Sequence, residues 1–201
     1  MRTILLTLLI IPMLGFGQTL EHIDFISPFH DGLAAVKKGN EWAFIDQNGS
    51  IIIDFRSDLI QTKTDKGNYP VFSNGKCIIT HQKDGILYYG FIDKKGKTSI
   101  KPQFLNVSNF QGNKALALIV HKETIGYNDI FKKDVVNYHY YEVIIDENGN
   151  VIDHLTQLAI HIPPKYTKSK TPPIITSKFI SDSLIVVKSN NNKWNLKKIS
   201  R

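Results

Sequence analysis

The sequence predicts an all-β protein: an array of about three and a half three-stranded antiparallel meander repeats, stacked as an open, curved row. Three observations carry that prediction. The pattern Ile-Asp-x-x-Gly recurs at Ile45–Gly49, Ile92–Gly96 and Ile145–Gly149, with its aspartates 47 and 53 residues apart. Each copy follows a phenylalanine-led turn that opens an apolar run: Phe29-His30-Asp31-Gly32-Leu33, Phe72-Ser73-Asn74-Gly75-Lys76 and Phe110-Gln111-Gly112. The apolar residues lie on both faces of short strands, and helical periodicity is absent beyond the leader except for a turn near Asp153 to Leu158. A lone meander is marginal in water, so units that are apolar on both faces must cover one another. Incomplete, propeller-like closure is the alternative arrangement; a truncated last copy favours the open stack.

The first 17 residues stand apart from the array. Arg2 supplies a positive start, Ile4 to Leu14 is an apolar run broken by Thr7 and Pro12, and Gly15-Phe16-Gly17 offers small residues where a signal peptidase reads. The run is about half the ~20 residues a bilayer span needs. Residues 1–17 are therefore expected to be a signal peptide cleaved near Gly17-Gln18, giving a periplasmic or extracellular product. With no cysteine near that point, a lipoprotein anchor is not expected. The single cysteine, Cys77, lies in an apolar run and is read as a buried, inert thiol.

Residues 18–201 form the predicted repeat domain: repeat one at about 25–60, two at about 69–106, three at about 107–160, and a partial fourth at about 174–201. In repeat one, Gly32 to Val36 is a strand, Lys37 to Asn40 a turn, and Glu41 to Ile45 a second strand. Asp46 to Gly49 is a second turn and Ser50 to Phe55 a third strand. Asp46 suits the first turn position because its carboxylate accepts backbone N–H groups, while Gly49 takes the left-handed conformation that closes a three-residue hairpin with a bulge. Asp93 and Gly96, then Asp146 and Gly149, repeat those structural roles. In Trp42-Ala43-Phe44-Ile45 the alternation sends Trp42 and Phe44 one way and Ala43 and Ile45 the other. Repeat four opens at Phe179-Ile180-Ser181-Asp182-Ser183-Leu184 and reaches Trp194 through an Asn-rich turn. Pro163-Pro164 and Pro172-Pro173 mark a linker between repeats three and four.

The stretches Phe29 to Gly49 (FHDGLAAVKKGNEWAFIDQNG) and Tyr89 to Phe104 (YGFIDKKGKTSIKPQF) resemble the bacterial WG-repeat, or WG β-repeat, family. That family is named for a Trp-Gly pair before Phe-Ile-Asp-x-x-Gly, followed by a strand and a Pro-x-aromatic step, which Pro102-Gln103-Phe104 matches. The copies are degenerate: the Trp-Gly position reads Trp42-Ala43, Tyr89-Gly90, Glu142-Val143 and Trp194-Asn195. The resemblance implies a β-rich interaction scaffold and transfers no active site.

Charge and motifs narrow the function further. The formal charge is +7, carried by lysine, with arginine only at positions 2, 56 and 201. Nucleic-acid readers use arginine for bidentate contacts, so scattered lysines read as solubility and edge protection. His22, His30, His81, His121, His139, His154 and His161 keep no zinc spacing. Asp146-Glu147-Asn148-Gly149-Asn150 with Asp153 has its glycine at the fourth position rather than the sixth of a calcium loop. No nucleophile elbow, phosphate loop or dinucleotide fingerprint is present. The expectation is a protein with no catalytic residue, no metal and no cofactor.

Repeat three departs most from the template. A longer connection, His121 to Asn137, separates its first two strands and carries Tyr127, Ile130, Phe131, Lys132 and Lys133. Long loops with aromatics on a rigid scaffold are where specific contacts sit. Tyr127, Phe131, Lys132 and Lys133 are the predicted contact loop; the alternative is an extended hairpin whose aromatics pack on its own strands. The functional expectation is an exported, non-catalytic scaffold for a protein, peptide or envelope polymer. An accessory envelope protein without a ligand, and a hydrolase of envelope material, are the competing readings.

Overall fold

The computed structural model describes residues 20–156, 160–161, 172–189 and 191–199. The predicted leader, Pro163-Pro164 and Leu158 lie outside the described residues. Every regular element among those described is a β-strand. Unit one comprises β1 (Phe25–His30), β2 (Leu33–Lys38), β3 (Glu41–Ile45) and β4 (Ile51–Arg56) in one antiparallel sheet. A short hairpin of β5 (Thr62–Thr64) and β6 (Gly67–Tyr69) leads to unit two, β7 (Cys77–Lys83), β8 (Ile86–Ile92) and β9 (Thr98–Phe104). Unit three holds β10 (Asn106–Val107), β11 (Ala115–Asn128), β12 (Lys133–Ile145) and β13 (Val151–His154), with β14 (Ile160–His161) also paired to β12. Unit four is β15 (Lys178–Ser181), β16 (Leu184–Lys188) and β17 (Trp194–Lys198). None of the sheets among the described residues closes into a barrel.

Two expectations need correction. The phenylalanine-led turn is itself a hairpin: β1 pairs with β2 across Asp31-Gly32, so unit one has four strands rather than three. The same closure survives in units two and three as single bridges, Ser73 to Lys76 and Gln111 to Lys114. Asp31 and Gly32 both have positive φ, the conformation that two-residue hairpins demand. The second correction concerns Asp153 and His154, which lie in β13 instead of a helical turn. Isoleucine and valine beside them favour the pleated strand.

The three Ile-Asp-x-x-Gly turns share one geometry. Asp46 Oδ1 accepts the N–H groups of Asn48 and Ser50, both at 2.9 Å. Asp93 does the same for Lys95 and Lys97, and Asp146 for Asn148 and Asn150. In each, the glycine N–H returns to the aspartate carbonyl and its φ lies between +76° and +83°.

The core is made between units, not within them. On β2, Leu33 and Ala35 face unit two, while Ala34 and Val36 turn the opposite way beneath Leu20 and Ile23. On β7, Cys77 and Ile79 face unit one and Ile78 faces unit three. On β11, Ala115 and Ala117 face unit two and Leu116 faces unit four. Period-two alternation thus assigns neighbouring residues of one strand to different cores. Rings anchor each layer: Phe44 meets Phe72 edge-on at 4.7 Å between centroids, and Phe91 meets Phe110 at 4.9 Å.

Turn contacts run along the stack as well. Asp31 Oδ2 accepts the Gly75 N–H at 2.7 Å, and Asn74 Oδ1 accepts the Gly112 N–H at 3.1 Å, so each opening turn is tied to the next. Between units three and four an ion pair, Lys197 Nζ to Asp153 Oδ1 at 2.7 Å, takes over.

Candidate functional site

Of the two arrangements expected for His121 to Asn137, a contact loop or an extended hairpin, the connection forms a paired hairpin. The β11–β12 register runs from Ala115 opposite Ile145 to Asn128 opposite Lys133, with one bulge between Thr124 and Gly126. The strands extend because Val135, Val136, Tyr138, Tyr140 and Tyr141 all favour a pleated, cross-strand-paired surface. A four-residue tip, Asp129 to Lys132, remains. Asn128 shapes it: its Oδ1 accepts the N–H groups of Ile130 and Phe131, each at 3.0 Å, and Lys132 takes a positive φ.

The base of the hairpin is packed and its end is not. Val120, Tyr138 and Tyr140 lie with Ile86 and Tyr88 of unit two around buried Leu105 and Leu118. Lower down, Glu123 Oε2 reaches His139 Nε2 at 3.4 Å. Beyond that point the large side chains are exposed, Ile130 at 86% and Phe131 at 71%, with Ile125 and Tyr127 also more than half exposed. The structure therefore brings Tyr127, Phe131, Lys132 and Lys133 together at the last rungs and turn of one hairpin. Asp129 and Asp134 stand beside the lysines there.

The predicted turn residues stand elsewhere. Asp46, Gly49, Asp93, Gly96, Asp146 and Gly149 lie along the stack in structural roles. Burial raises the Asp146 carboxyl, but hydrogen bonds from the Asn150 side chain and from the Asn150, Asn148 and Gly149 backbone outweigh it and hold the group below its ordinary value. Burial pushes the Cys77 thiol up to about 12.

Glu142 is a residue the sequence reading left as mere degeneracy at the Trp-Gly position. It is only 2% exposed in the middle of β12. Its Oε1 accepts the Thr176 N–H at 2.7 Å and the Thr176 hydroxyl at 2.8 Å. Its Oε2 accepts the Ser177 N–H at 3.0 Å and the Ser177 hydroxyl. Those four bonds hold the segment that leads into β15 of unit four. The signal was present: a glutamate standing where Trp42 and Tyr89 are buried in the other units.

Gly90 shows what the second residue of that pair is for. The β8–β9 register jumps from Tyr89 opposite Phe104 to Phe91 opposite Ile100, and a Cβ at Gly90 would lie 2.5 Å from the Ile100 carbonyl oxygen. At the equivalent pairs of unit three, Val143 opposite His154 and Ile144 opposite Asp153, no residue is skipped, and valine fits.

Among the described residues, no group of three or more histidine, cysteine, aspartate or glutamate side chains is placed to hold a metal ion. No helix of the described residues is long and apolar enough to cross a membrane. A cleft of about 260 Å³ lies between units three and four, lined by Ile152, Asp153, Lys197 and Ile199. The ion pair in its wall joins the two units.

Fold and surface together define an all-β repeat array that stacks small antiparallel sheets and projects one hairpin from the third. The family to which those repeats belong is that of the WG containing repeat, whose model matches residues 22–42, 42–77 and 89–119. Over those segments the chain carries WG-type repeats. The matched segments end inside β11, so unit four joins the array through its register and contacts. No curated protein and no solved structure matches the chain.

Proposed function

We propose that the protein is an exported, non-catalytic interaction scaffold that captures a protein, peptide or envelope polymer through the end of the β11–β12 hairpin. The observation behind this reading is the cluster of exposed apolar side chains there, Ile125, Tyr127, Ile130 and Phe131, on a hairpin whose base is held in the stack. Contiguous exposed apolar surface on a rigid element is what a binding partner covers. Export rests on Arg2 and the apolar run from Ile4 to Leu14.

Replacing Ile130 and Phe131 by serine tests the assignment, because both side chains stand in solvent and their loss should change stability by less than about 0.5 kcal/mol. Immobilised wild-type protein should retain specific components of an envelope extract that the double variant releases. Identical retention by a variant with an unchanged melting temperature would remove the hairpin end from the binding surface.

A further inference from the structure

The stack has a direction. The face that each unit turns toward its successor carries three positions in the same register: Ala35, Trp42 and Phe44 in unit one; Ile78, Tyr89 and Phe91 in unit two; Leu116, Glu142 and Ile144 in unit three. The next unit buries every one of them to 6% exposure or less. In unit four the same positions are Val186, Trp194 and Leu196. Here Trp194 is 49% exposed and Leu196 65%.

The opposite end has the matching gap. Phe72 and Phe110, two residues ahead of their turns, are 1% and 2% exposed against the preceding unit, whereas Phe29 at that position in unit one is 48% exposed. Ile26, opposite Val36 on the same face, is half exposed. Leu20 and Ile23 cover Ala34 and Val36 but leave these two side chains open.

The two ends are also opposite in charge. Residues 20–56 hold six acids (Glu21, Asp24, Asp31, Glu41, Asp46, Asp54) against three bases (Lys37, Lys38, Arg56). Residues 172–199 hold five lysines (178, 188, 193, 197, 198) against one acid, Asp182. Two basic faces repel, which disfavours pairing of unit four with its own copy. An apolar face on a unit of net negative charge suits it.

We infer that the Val186, Trp194 and Leu196 face of unit four docks on the Ile26 and Phe29 face of unit one in a second copy, continuing the array head to tail between molecules. The contact is heterologous, so it propagates into chains or closes into rings instead of stopping at a symmetric dimer. It is weaker than the internal interfaces because Leu20 and Ile23 already occupy part of the acceptor face. Unit-to-unit stacking in trans thus repeats the contact that units make in cis.

Sedimentation velocity on the wild-type protein should show mass rising with concentration across a span from about 1 µM to about 1 mM, the range of a weak interface. Raising the salt should lower that mass, because the facing charges are screened. Leu196→Asp sets an acid within an apolar contact against the net-acidic unit one, and Phe29→Lys sets a base against the basic unit four. Each variant alone should be monomeric, and an equimolar mixture should associate, since each contributes one intact face and the two altered faces are themselves opposite in charge. Ile26→Lys replaces Phe29→Lys if the latter shifts the melting temperature. A wild-type protein that stays monomeric, a Phe29→Lys variant that still self-associates, or a mixture that stays monomeric would overturn the inference. Cosedimentation of monomeric protein with vesicles containing phosphatidylglycerol, lost in Leu196→Asp, would assign the unit-four face to an anionic membrane in its place.

Discussion

Gly49 and Gly149 occupy the same turn position with nearly the same φ, +80° and +83°, yet they are not equally replaceable. A Cβ on Gly49 meets nothing within 4 Å, whereas one on Gly149 lies 2.7 Å from Ile100 Cγ2 of the preceding unit. Gly96 is intermediate, 3.3 Å from Ile53 Cγ2. Gly49→Ala should therefore cost about 1 kcal/mol for the left-handed backbone alone. Gly149→Ala should cost about 1–3 kcal/mol more for overpacking. Urea denaturation of the two variants measures the difference, and equal costs would mean that the turn of unit three does not sit on β9 in solution. The turns themselves were readable along the chain because Asp-x-x-Gly carries its own hydrogen-bond logic. Which of the glycines has a neighbour above it depends on the stack.

At the scale of the element, β12 carries two roles that one strand pattern conceals. Its outer half is the hairpin arm, which the sequence left open between a loop and an extended hairpin. Its residues alternate weakly, since Tyr138, Tyr140 and Tyr141 are all partly buried. Its inner half carries Glu142, whose carboxylate receives four hydrogen bonds from Thr176 and Ser177. Glu142→Ala leaves those donors without an acceptor in a buried place and should cost about 3 kcal/mol. The loss should be local. Amide exchange should accelerate in β15 to β17 while β2, β3 and β8 keep their protection, because unit four alone depends on that carboxylate. Uniform acceleration across all units would show the array to be a single cooperative block. Nothing in the sequence around Glu142 names Thr176 or Ser177 as its partners; they meet only when unit four folds back on unit three.

The whole molecule behaves as a row of sheets in which units two and three each contribute half of two cores. Stability should then follow nearest-neighbour contacts more than any single unit's own strands. Cys77 reports on this directly. It is fully buried between units one and two, and burial holds its thiol near 12. The intact stack should resist iodoacetamide at pH 8, with labelling appearing only when urea opens the interface of those two units. Labelling at the rate of a free thiol in native buffer would mean that the two sheets separate readily. Head-to-tail association extends the same nearest-neighbour principle past the end of one chain.

By itself the sequence determined the strand class, the repeat spacing, the Asp-x-x-Gly turns and the need for two-sided burial, because each is a local property of a few adjacent residues. Tertiary structure alone decided which face of a unit is covered and that a glutamate can stand where the other units keep an aromatic ring. Those outcomes depend on neighbours tens of residues away, and pairing across such distances leaves no mark within either strand.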